Sequence, residues 1–269
     1  MTKTYSICVA NWNSMNTVQS WASSLLSNLA SGDEVVIVDG NSTDGSQEFL
    51  SRLCRARGFT FASAKAHVGR QRQLAFELSR GEYVIAHLDT DDIVVSLPEA
   101  KRLYHEVVEW DPVTGMQRAF RCWGLFIIPR WMLEAVGGYP DLQFYEDQLV
   151  SYRLATQGQL TLSVKVAAAS IGIDPKKHRL GLRVRYSFRR IREGLRVGIF
   201  EPRNPQGFLL LPAAWLASLP LPHYGFRKDW WNLDVGRDEY ILTWIDRQGL
   251  SGRLLREKLE NPQSAGALA

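Results

Sequence analysis

The sequence predicts an α/β protein built on a mostly parallel, doubly wound sheet. Short continuous apolar runs alternate with segments in which apolar residues recur at every third or fourth position, and turn-forming residues separate the two. This alternation of strand and helix signals is typical of a parallel sheet with helices on both faces. Ligands bind such sheets at the carboxyl ends of the strands, so the residues after each apolar run are candidates for a functional site.

The first half of the chain carries four strand signals with helix signals between them. The run "EVVIVDG" (34–40) is apolar without alternation, which indicates a strand buried on both faces. The segment "NSTDGS" (41–46) offers capping side chains for the helix that follows it. The predicted strands are 5–10, 34–40, 59–63 and 82–89, and the predicted helices are 15–30, 46–56 and 69–79.

The middle of the chain gives a mixed pattern. One of its helical segments opens with two acids, Glu146 and Asp147, and is closed by Gly158. Helices are predicted at 97–109, 130–136 and 146–158, and strands at 118–129 and 160–169.

The last hundred residues predict a basic and apolar helical extension, 171–269, after a domain at 1–170. Residues 178–200 combine an apolar stripe with an arginine-rich face, which is typical of an amphipathic helix. The segment 175–203 contains ten Lys or Arg and two Glu, a net charge of +8, whereas the whole chain carries +4. A local anionic partner is therefore expected. The neighbouring stretch 207–222 is apolar but too short and too proline-broken to span a bilayer.

Several features predict a cytoplasmic location. The N-terminal "MTKTYSICVANW" contains a short strand-like run and not the longer apolar core and cleavage site of a signal peptide. The chain has no run of about 18 apolar residues. Cys8, Cys54 and Cys122 lack metal-ligand spacing and are predicted to be reduced packing residues.

The stretch "AHLDTDD" (86–92) places three carboxylates, Asp89, Asp91 and Asp92, directly after a buried strand. Carboxylates this close repel one another unless a positive group lies between them. Mg²⁺ and Mn²⁺ prefer oxygen ligands and are often shared between carboxylates and phosphates. The stretch therefore predicts a divalent-metal site that faces a diphosphate, and the alternative is a solvated turn that caps the next helix.

At this point the sequence resembles a known family. Five segments, in order and spacing, resemble the GT-A fold glycosyltransferases of family 2 over roughly residues 4–165. The resemblance implies a GT-A, Rossmann-like sheet and inverting transfer of a sugar from a nucleoside diphosphate sugar. The matching segments are "YSICVANWN", "VIVDGNSTDGS", "GRQRQLAFELSRGEYVIAHLDTDD", "VGGYPD" and "EDQLVSYRL".

The resemblance assigns the base and ribose to the ends of the first two strands, at Ala10, Asn11 and Asp39. Many relatives carry a second Asp where this chain has Gly40, so UDP and GDP donors both stay open. Arg72 matches an arginine that lies near the nucleotide in the family, and its alternative role is a helix-surface charge.

Asp89 and Asp91 match the family's metal-and-ribose motif, with Asp92 as an alternative ligand. The resemblance thus implies Mg²⁺ or Mn²⁺ as cofactor. Glu146 and Asp147 match its acceptor-side acids. We expect Asp147 to take the proton of an acceptor hydroxyl as general base and Glu146 to bind or orient the acceptor. The alternative is that both acids only stabilise the start of a helix, and a lipid phosphate acceptor would make the base less important.

The basic segment supplies further candidates. His178 is a candidate metal ligand, and Lys177 and Arg179 are candidate diphosphate ligands, with exposed or structural roles as the alternative. The segment 175–203 and the apolar 207–222 together favour an anionic membrane surface as partner, against a solvated helix face. Nucleic acid also fits the charge but is not expected, because the segment has no nucleic-acid motif.

The sequence therefore predicts a metal-dependent, inverting glycosyltransferase, peripheral on the cytosolic membrane face. Its acceptor is expected to be a glycan, a lipid-linked sugar or a polyprenyl phosphate. One alternative is a catalytically silent relative that binds nucleotide sugars or carbohydrate. The other is a metal-dependent nucleotidyltransferase, but "VANWNSMN" has no glycine where a phosphate loop needs one.

Overall fold

The strands of the protein follow the predicted order in the first half of the chain. The computed structural model describes residues 3–94, 96–122, 124–163, 170–172, 180–197, 205–222, 224, 241, 243 and 247. Within these residues the strands are β1 (Tyr5–Asn11), β2 (Glu34–Asp39), β3 (Thr60–Ser63), β4 (Tyr83–Ala86), β5 (Asp92–Val94), β6 (Ala119–Cys122), β7 (Leu125–Pro129), β8 (Leu160–Leu162) and β9 (Ser170–Gly172).

Helices connect these strands and flank the sheet. A π-helical turn at Tyr104–Val108 continues the fourth helix, so the predicted helix at 97–109 is present but changes its winding. The described helices are α1 (Val18–Asn28), α2 (Ser46–Arg57), α3 (Val68–Leu78), α4 (Leu97–Leu103), α5 (Arg130–Ala135), α6 (Glu146–Thr156), α7 (Leu180–Val197) and α8 (Pro205–Ser218).

The main sheet is mostly parallel, as predicted. Seven strands of the described chain lie in the order β3-β2-β1-β4-β7-β6-β8. β3, β2, β1 and β4 run parallel, whereas β7 is antiparallel to both β4 and β6. The register pairs Asn11 with Asp39 and Asp39 with Ser63. The carboxyl ends of the parallel strands therefore form one edge, which holds Asn11 and Asp39 at the ends of β1 and β2 and the aspartates after β4.

Two apolar layers cover the sheet, one on each face. Successive residues of a strand point to opposite faces, so Ile7 packs in the layer that contains Trp21, and Cys8 packs in the layer that contains Phe126 and Leu149. Burial on both faces explains why the parallel strands read as continuous apolar runs. The three cysteines are buried and are not joined in disulfide bonds, which agrees with the prediction of reduced packing residues.

Two strand predictions are wrong in their bounds. The run 118–129 forms a hairpin of β6 and β7 and not one strand, because the chain reverses at Gly124, whose φ of 72° is in the left-handed region. The strand predicted at 82–89 ends at Ala86, because His87 also has a left-handed φ, of 70°. This early end leaves the aspartates on a turn, and Asp92 begins β5, a short strand that the sequence pattern does not show.

The predicted C-terminal extension, 171–269, begins with the end of β9, which pairs with β5, and its described residues then include the helices α7 and α8. α7 packs against α8, and its Ile191 and Val197 are buried. Val197 lies in the same apolar layer as Leu149 of α6, so α7 also contacts the sheet domain. α8 continues through Pro212. Among the described residues, no helix is both long enough and apolar enough to cross a membrane.

Candidate active site

The aspartate turn lies at the carboxyl edge of the sheet, directly after β4. The Asp92 N–H donates to the Asp89 carbonyl over 3.0 Å and closes the turn. Asp89, Asp91 and Asp92 are half-buried, and each offers a carboxylate oxygen within 4.8 Å of the others. Three oxygen ligands at this spacing suit one Mg²⁺ or Mn²⁺ ion, and a cation would remove their mutual repulsion.

Asn11 ties this turn to the ends of the first two strands. Its Nδ2 donates to Asp39 Oδ2 over 2.6 Å, and its Oδ1 accepts from the Thr90 hydroxyl over 2.8 Å. Thr17, just before α1, donates its hydroxyl to the Thr90 carbonyl over 2.8 Å. The backbone between the candidate metal ligands is therefore held by two neighbouring elements.

Asp39 lies inside this network and is fully buried. Its carboxylate accepts from Asn11 and, over 2.8 Å and 2.7 Å, from the backbone N–H and hydroxyl of Ser42. Ala10, the other predicted nucleotide-binding residue of this region, is also buried. In this structure Asp39 orders the loop at the rim of the site and does not line its surface.

Two residues that sequence reasoning missed lie beside Gly40. A Cβ at Gly40 would come within 2.5 Å of Gln71 Nε2 and 3.2 Å of Trp12 Cδ1, so these side chains fill the space next to the glycine. Trp12 is 62% exposed, at the end of β1, and offers an aromatic face at the rim. The signal available in the sequence was a tryptophan close behind the apolar run of the first strand.

Arg72 of α3 connects the aspartate turn to the acid pair, Glu146 and Asp147. Its Nη2 donates to Asp89 Oδ1 over 2.8 Å, and its Nε lies 3.3 Å from Glu146 Oε1. Burial acts to lower the pKa of Arg72, but Asp89 and Glu146 raise it above its usual value. The guanidinium thus places a permanent positive charge between two groups of carboxylates.

Asp147 is held by two residues that the sequence did not single out. Arg121 of β6 donates to Asp147 Oδ2 and also, over 2.6 Å, to the Ser151 hydroxyl. His87 Nδ1 lies 3.7 Å from the same Asp147 oxygen. Burial alone would raise the pKa of Asp147, but the charge of Arg121, and that of His87 when its ring is protonated, hold it well below its usual value. Burial lowers the pKa of His87 itself, so Arg121 is the main cause at neutral pH. Asp147 is therefore ionised at neutral pH.

Glu146 has the opposite electrostatic environment. It is buried, and burial together with the negative charge of Asp147 raises its pKa to about 8, although Arg72 opposes the shift. The two adjacent acids thus differ in how tightly they hold a proton, because the pKa of Glu146 is raised and that of Asp147 is lowered. Environments that separate the pKa values of paired carboxyls are typical of acid–base sites.

Buried polar atoms without partners surround the acid pair. Among the described residues, the atoms near the acid pair without a hydrogen-bond partner include His87 Nε2 and the Tyr139 hydroxyl. Native proteins leave few such atoms unsatisfied, so each is a candidate contact for water or ligand. His178, Lys177 and Arg179, the remaining predicted site residues, lie outside the described residues.

The mostly parallel sheet, with aspartates and an acid pair at its carboxyl edge, defines an α/β protein of the GT-A type. The sequence model of the family described as Glycosyl transferase family 2 matches residues 6–151, more than half of the 269-residue chain. The chain therefore belongs to glycosyltransferase family 2. No curated protein matches it significantly.

Solved structures show the same fold. The mannosyltransferase PcManGT from Pyrobaculum calidifontis, in complex with GDP-Man and Mn²⁺, superposes with a TM-score of 0.56 at 18% identity, over 92% of this chain and 84% of that one. S. aureus TarS 1-349 in complex with UDP-GlcNAc gives a TM-score of 0.52 at 17% identity, over 91% of this chain and 79% of that one. At these identities the likeness concerns the fold alone.

Proposed function

We propose that this protein is a metal-dependent, inverting glycosyltransferase that uses a UDP- or GDP-sugar. The observation that carries the proposal is the contact of one arginine, Arg72, with both Asp89 of the aspartate turn and Glu146 of the acid pair. The groups that bind the donor and those that bind the acceptor would then meet at the buried guanidinium of Arg72. Neighbours of this fold were solved with GDP-Man and Mn²⁺ and with UDP-GlcNAc, which supports this donor class.

The donor half of the proposal rests on the aspartate turn. Asp89, Asp91 and Asp92 would hold Mg²⁺ or Mn²⁺, which when bound neutralises charge on the departing diphosphate. Trp12 would stack on the base, and Asn11 and Asp39 would fix the loop beneath it. The neutral amide of Gln71 and the ring of Trp12 fill the space beside Gly40, so at this position the chain offers an amide and an aromatic ring to the base.

The acceptor half rests on the difference between the two acids. Asp147 is ionised and would take the proton of the acceptor hydroxyl while that oxygen bonds to the anomeric carbon and the bond to the diphosphate breaks. Glu146, whose pKa is raised, would in its protonated form donate a hydrogen bond that orients the acceptor. Arg121 keeps Asp147 in place but also lowers its basicity, so an already ionised phosphate acceptor fits the site as well.

We further propose that the C-terminal extension binds an anionic membrane surface from the cytosolic side. Trp215, Leu216 and Leu219 are 51%, 61% and 53% exposed at the end of α8. Arg189 is exposed on α7, which packs against α8. Adjacent apolar and basic groups are typical of helices that lie in the membrane interface. This surface would bring the site close to a lipid-linked or glycan acceptor.

A screen of nucleotide sugars tests the proposal most directly. The protein would be incubated with UDP- and GDP-sugars, with and without Mn²⁺, and the release of nucleoside diphosphate measured in the presence of sugar and polyprenyl phosphate acceptors. Metal-dependent release with one donor is the expected result. Donor binding without release under every condition would favour a catalytically silent relative instead.

A further inference from the structure

We propose that Glu193 of α7 is a positioning residue for the acid pair. The inference rests on the proposed function, because it assigns Glu193 a role in holding Glu146 and Asp147. Glu193 lies outside the region that matches the family, residues 6–151. The helix α7 would then be part of the catalytic unit as well as a candidate membrane contact.

Glu193 reaches the chain just before α6. Its Oε2 accepts the backbone N–H groups of Gln143 over 2.8 Å and Phe144 over 2.7 Å. The residue is 1% exposed, and Arg192 Nη2 lies 3.5 Å from its other oxygen. A buried carboxylate is unfavourable unless hydrogen bonds satisfy it, and here two backbone donors do so.

The same loop is held a second time from α7. Tyr145, the residue before α6, has a φ of 66°, a left-handed conformation that an L-residue rarely adopts without support. Arg190 Nε donates to the Tyr145 hydroxyl over 3.2 Å, and the guanidinium carbon lies 5.5 Å from the ring centroid. Side chains of one helix therefore fix three consecutive residues, 143–145.

These three residues set where α6 begins. The acid pair is the first two residues of α6, so a shift of the loop moves both acids relative to Arg72 and Arg121, which belong to α3 and β6. The aspartate turn, in contrast, is held by Asn11 and Thr17. Loss of Glu193 should disturb the acid pair and leave the donor site in place. Misplacement of a reacting group by about 1 Å can lower the rate by roughly 100-fold.

The test compares Glu193→Ala with Glu193→Gln, and uses Glu134→Ala, an exposed glutamate of α5, as the control. In the full chain we expect Glu193→Ala to lower kcat by about 10- to 100-fold, with the donor KM changed by less than about twofold. Glu193→Gln should recover most of the rate, because its amide oxygen still accepts from the loop. Hydrogen exchange of a peptide covering 143–150 should accelerate in Glu193→Ala and not in the control.

The outcomes separate this inference from the proposed function. If the wild-type protein transfers no sugar, the proposed function fails, while faster exchange confined to 143–150 would still show that Glu193 holds the loop. Unchanged exchange and an unchanged kcat in Glu193→Ala would overturn the inference. So would an equal loss of donor affinity and kcat with faster exchange in β1 and β4, since that pattern means general destabilisation.

Discussion

Arg72 and Glu146 form a buried ion-pair contact, with Nε and Oε1 3.3 Å apart and both side chains 6% exposed. Breaking such a buried pair by removing one partner is usually strongly destabilising, because it leaves the other charge uncompensated. Arg72 also donates to Asp89, so it would keep one partner if Glu146 were neutral. The site can thus accept a proton on Glu146 without isolating the arginine.

The first prediction concerns the metal. Asp91→Asn should weaken the binding of nucleoside diphosphate by at least about tenfold, or 1.4 kcal/mol, because one of the three proposed cation ligands is lost. A chelator should weaken wild-type binding in the same way. Calorimetry with UDP and GDP, with and without Mn²⁺, measures both effects, and Glu48→Gln on the exposed face of α2 is the control. Equal affinity with and without metal would show that the aspartate turn does not bind a catalytic cation.

The second prediction separates binding from chemistry. Asp147→Asn should lower transfer to a sugar-hydroxyl acceptor by about 10²–10⁴-fold, as for a lost general base, while donor binding stays within about twofold. Single-turnover rates and donor titrations measure the two quantities, and the exposed Asp141→Asn is a nearby control. A wild-type rate with a hydroxyl acceptor would remove Asp147 from the mechanism. A normal rate with polyprenyl phosphate alone would indicate that acceptor class.

The third prediction concerns stability against pH. The pKa of Glu146 is raised from 4.5 to about 8, so the folded state binds its proton more tightly than the unfolded state does. The stability that this provides is complete below about pH 4.5 and is lost as the pH rises through about 8. Glu146→Gln lacks this loss and should gain stability relative to wild type between about pH 5 and 9, on the order of a few kcal/mol.

Urea unfolding of wild type and Glu146→Gln at about pH 5 and about pH 9 measures this difference in stability. Asp141→Asn, whose carboxyl is exposed, should run parallel to wild type. A constant difference between Glu146→Gln and wild type at both pH values would mean that Glu146 titrates normally in the folded protein.

The fourth prediction concerns the membrane. Wild-type protein should still co-sediment in part with anionic vesicles at high salt, because the apolar contact is insensitive to screening. Trp215→Ser combined with Leu216→Ser should abolish this salt-resistant binding. Arg189→Gln should reduce the salt-sensitive part. Trp110→Ser is a matched control, since Trp110 is 55% exposed, close to the 51% of Trp215. A wild-type protein that stays in the supernatant at low salt would rule out the membrane surface.

The order of strands and helices could be predicted because the parallel strands are buried on both faces. Runs such as Val35–Val38 are therefore apolar at every position, and the intervening helices carry their own spacing. The aspartate turn was also predictable, because its charges directly follow such a run. The hairpin of β6 and β7 was not, since it depends on one glycine, Gly124, within an otherwise strand-like segment.

The partners of the acid pair could not be read from the sequence. His87 and Arg121 are 60 and 26 residues from Asp147, and only the packing of β4, β6 and α6 brings them together. Arg121 could have been noticed in the sequence, because it is a charged residue within an apolar strand segment. Likewise, the sequence placed Asp39 at the correct strand end, but its burial depends on Asn11 and Ser42, which lie on separate elements.

The reactivity of the three buried thiols can be used to follow the unfolding of the protein. Burial raises the pKa of Cys8 to about 12 and that of Cys54 to about 11, so an alkylating reagent meets almost no thiolate while the fold is closed. Each cysteine lies on a different element: Cys8 on β1 at the centre of the sheet, Cys54 on α2 and Cys122 on β6. The order in which the three become labelled under mild denaturation would therefore map which part opens first, without any introduced probe.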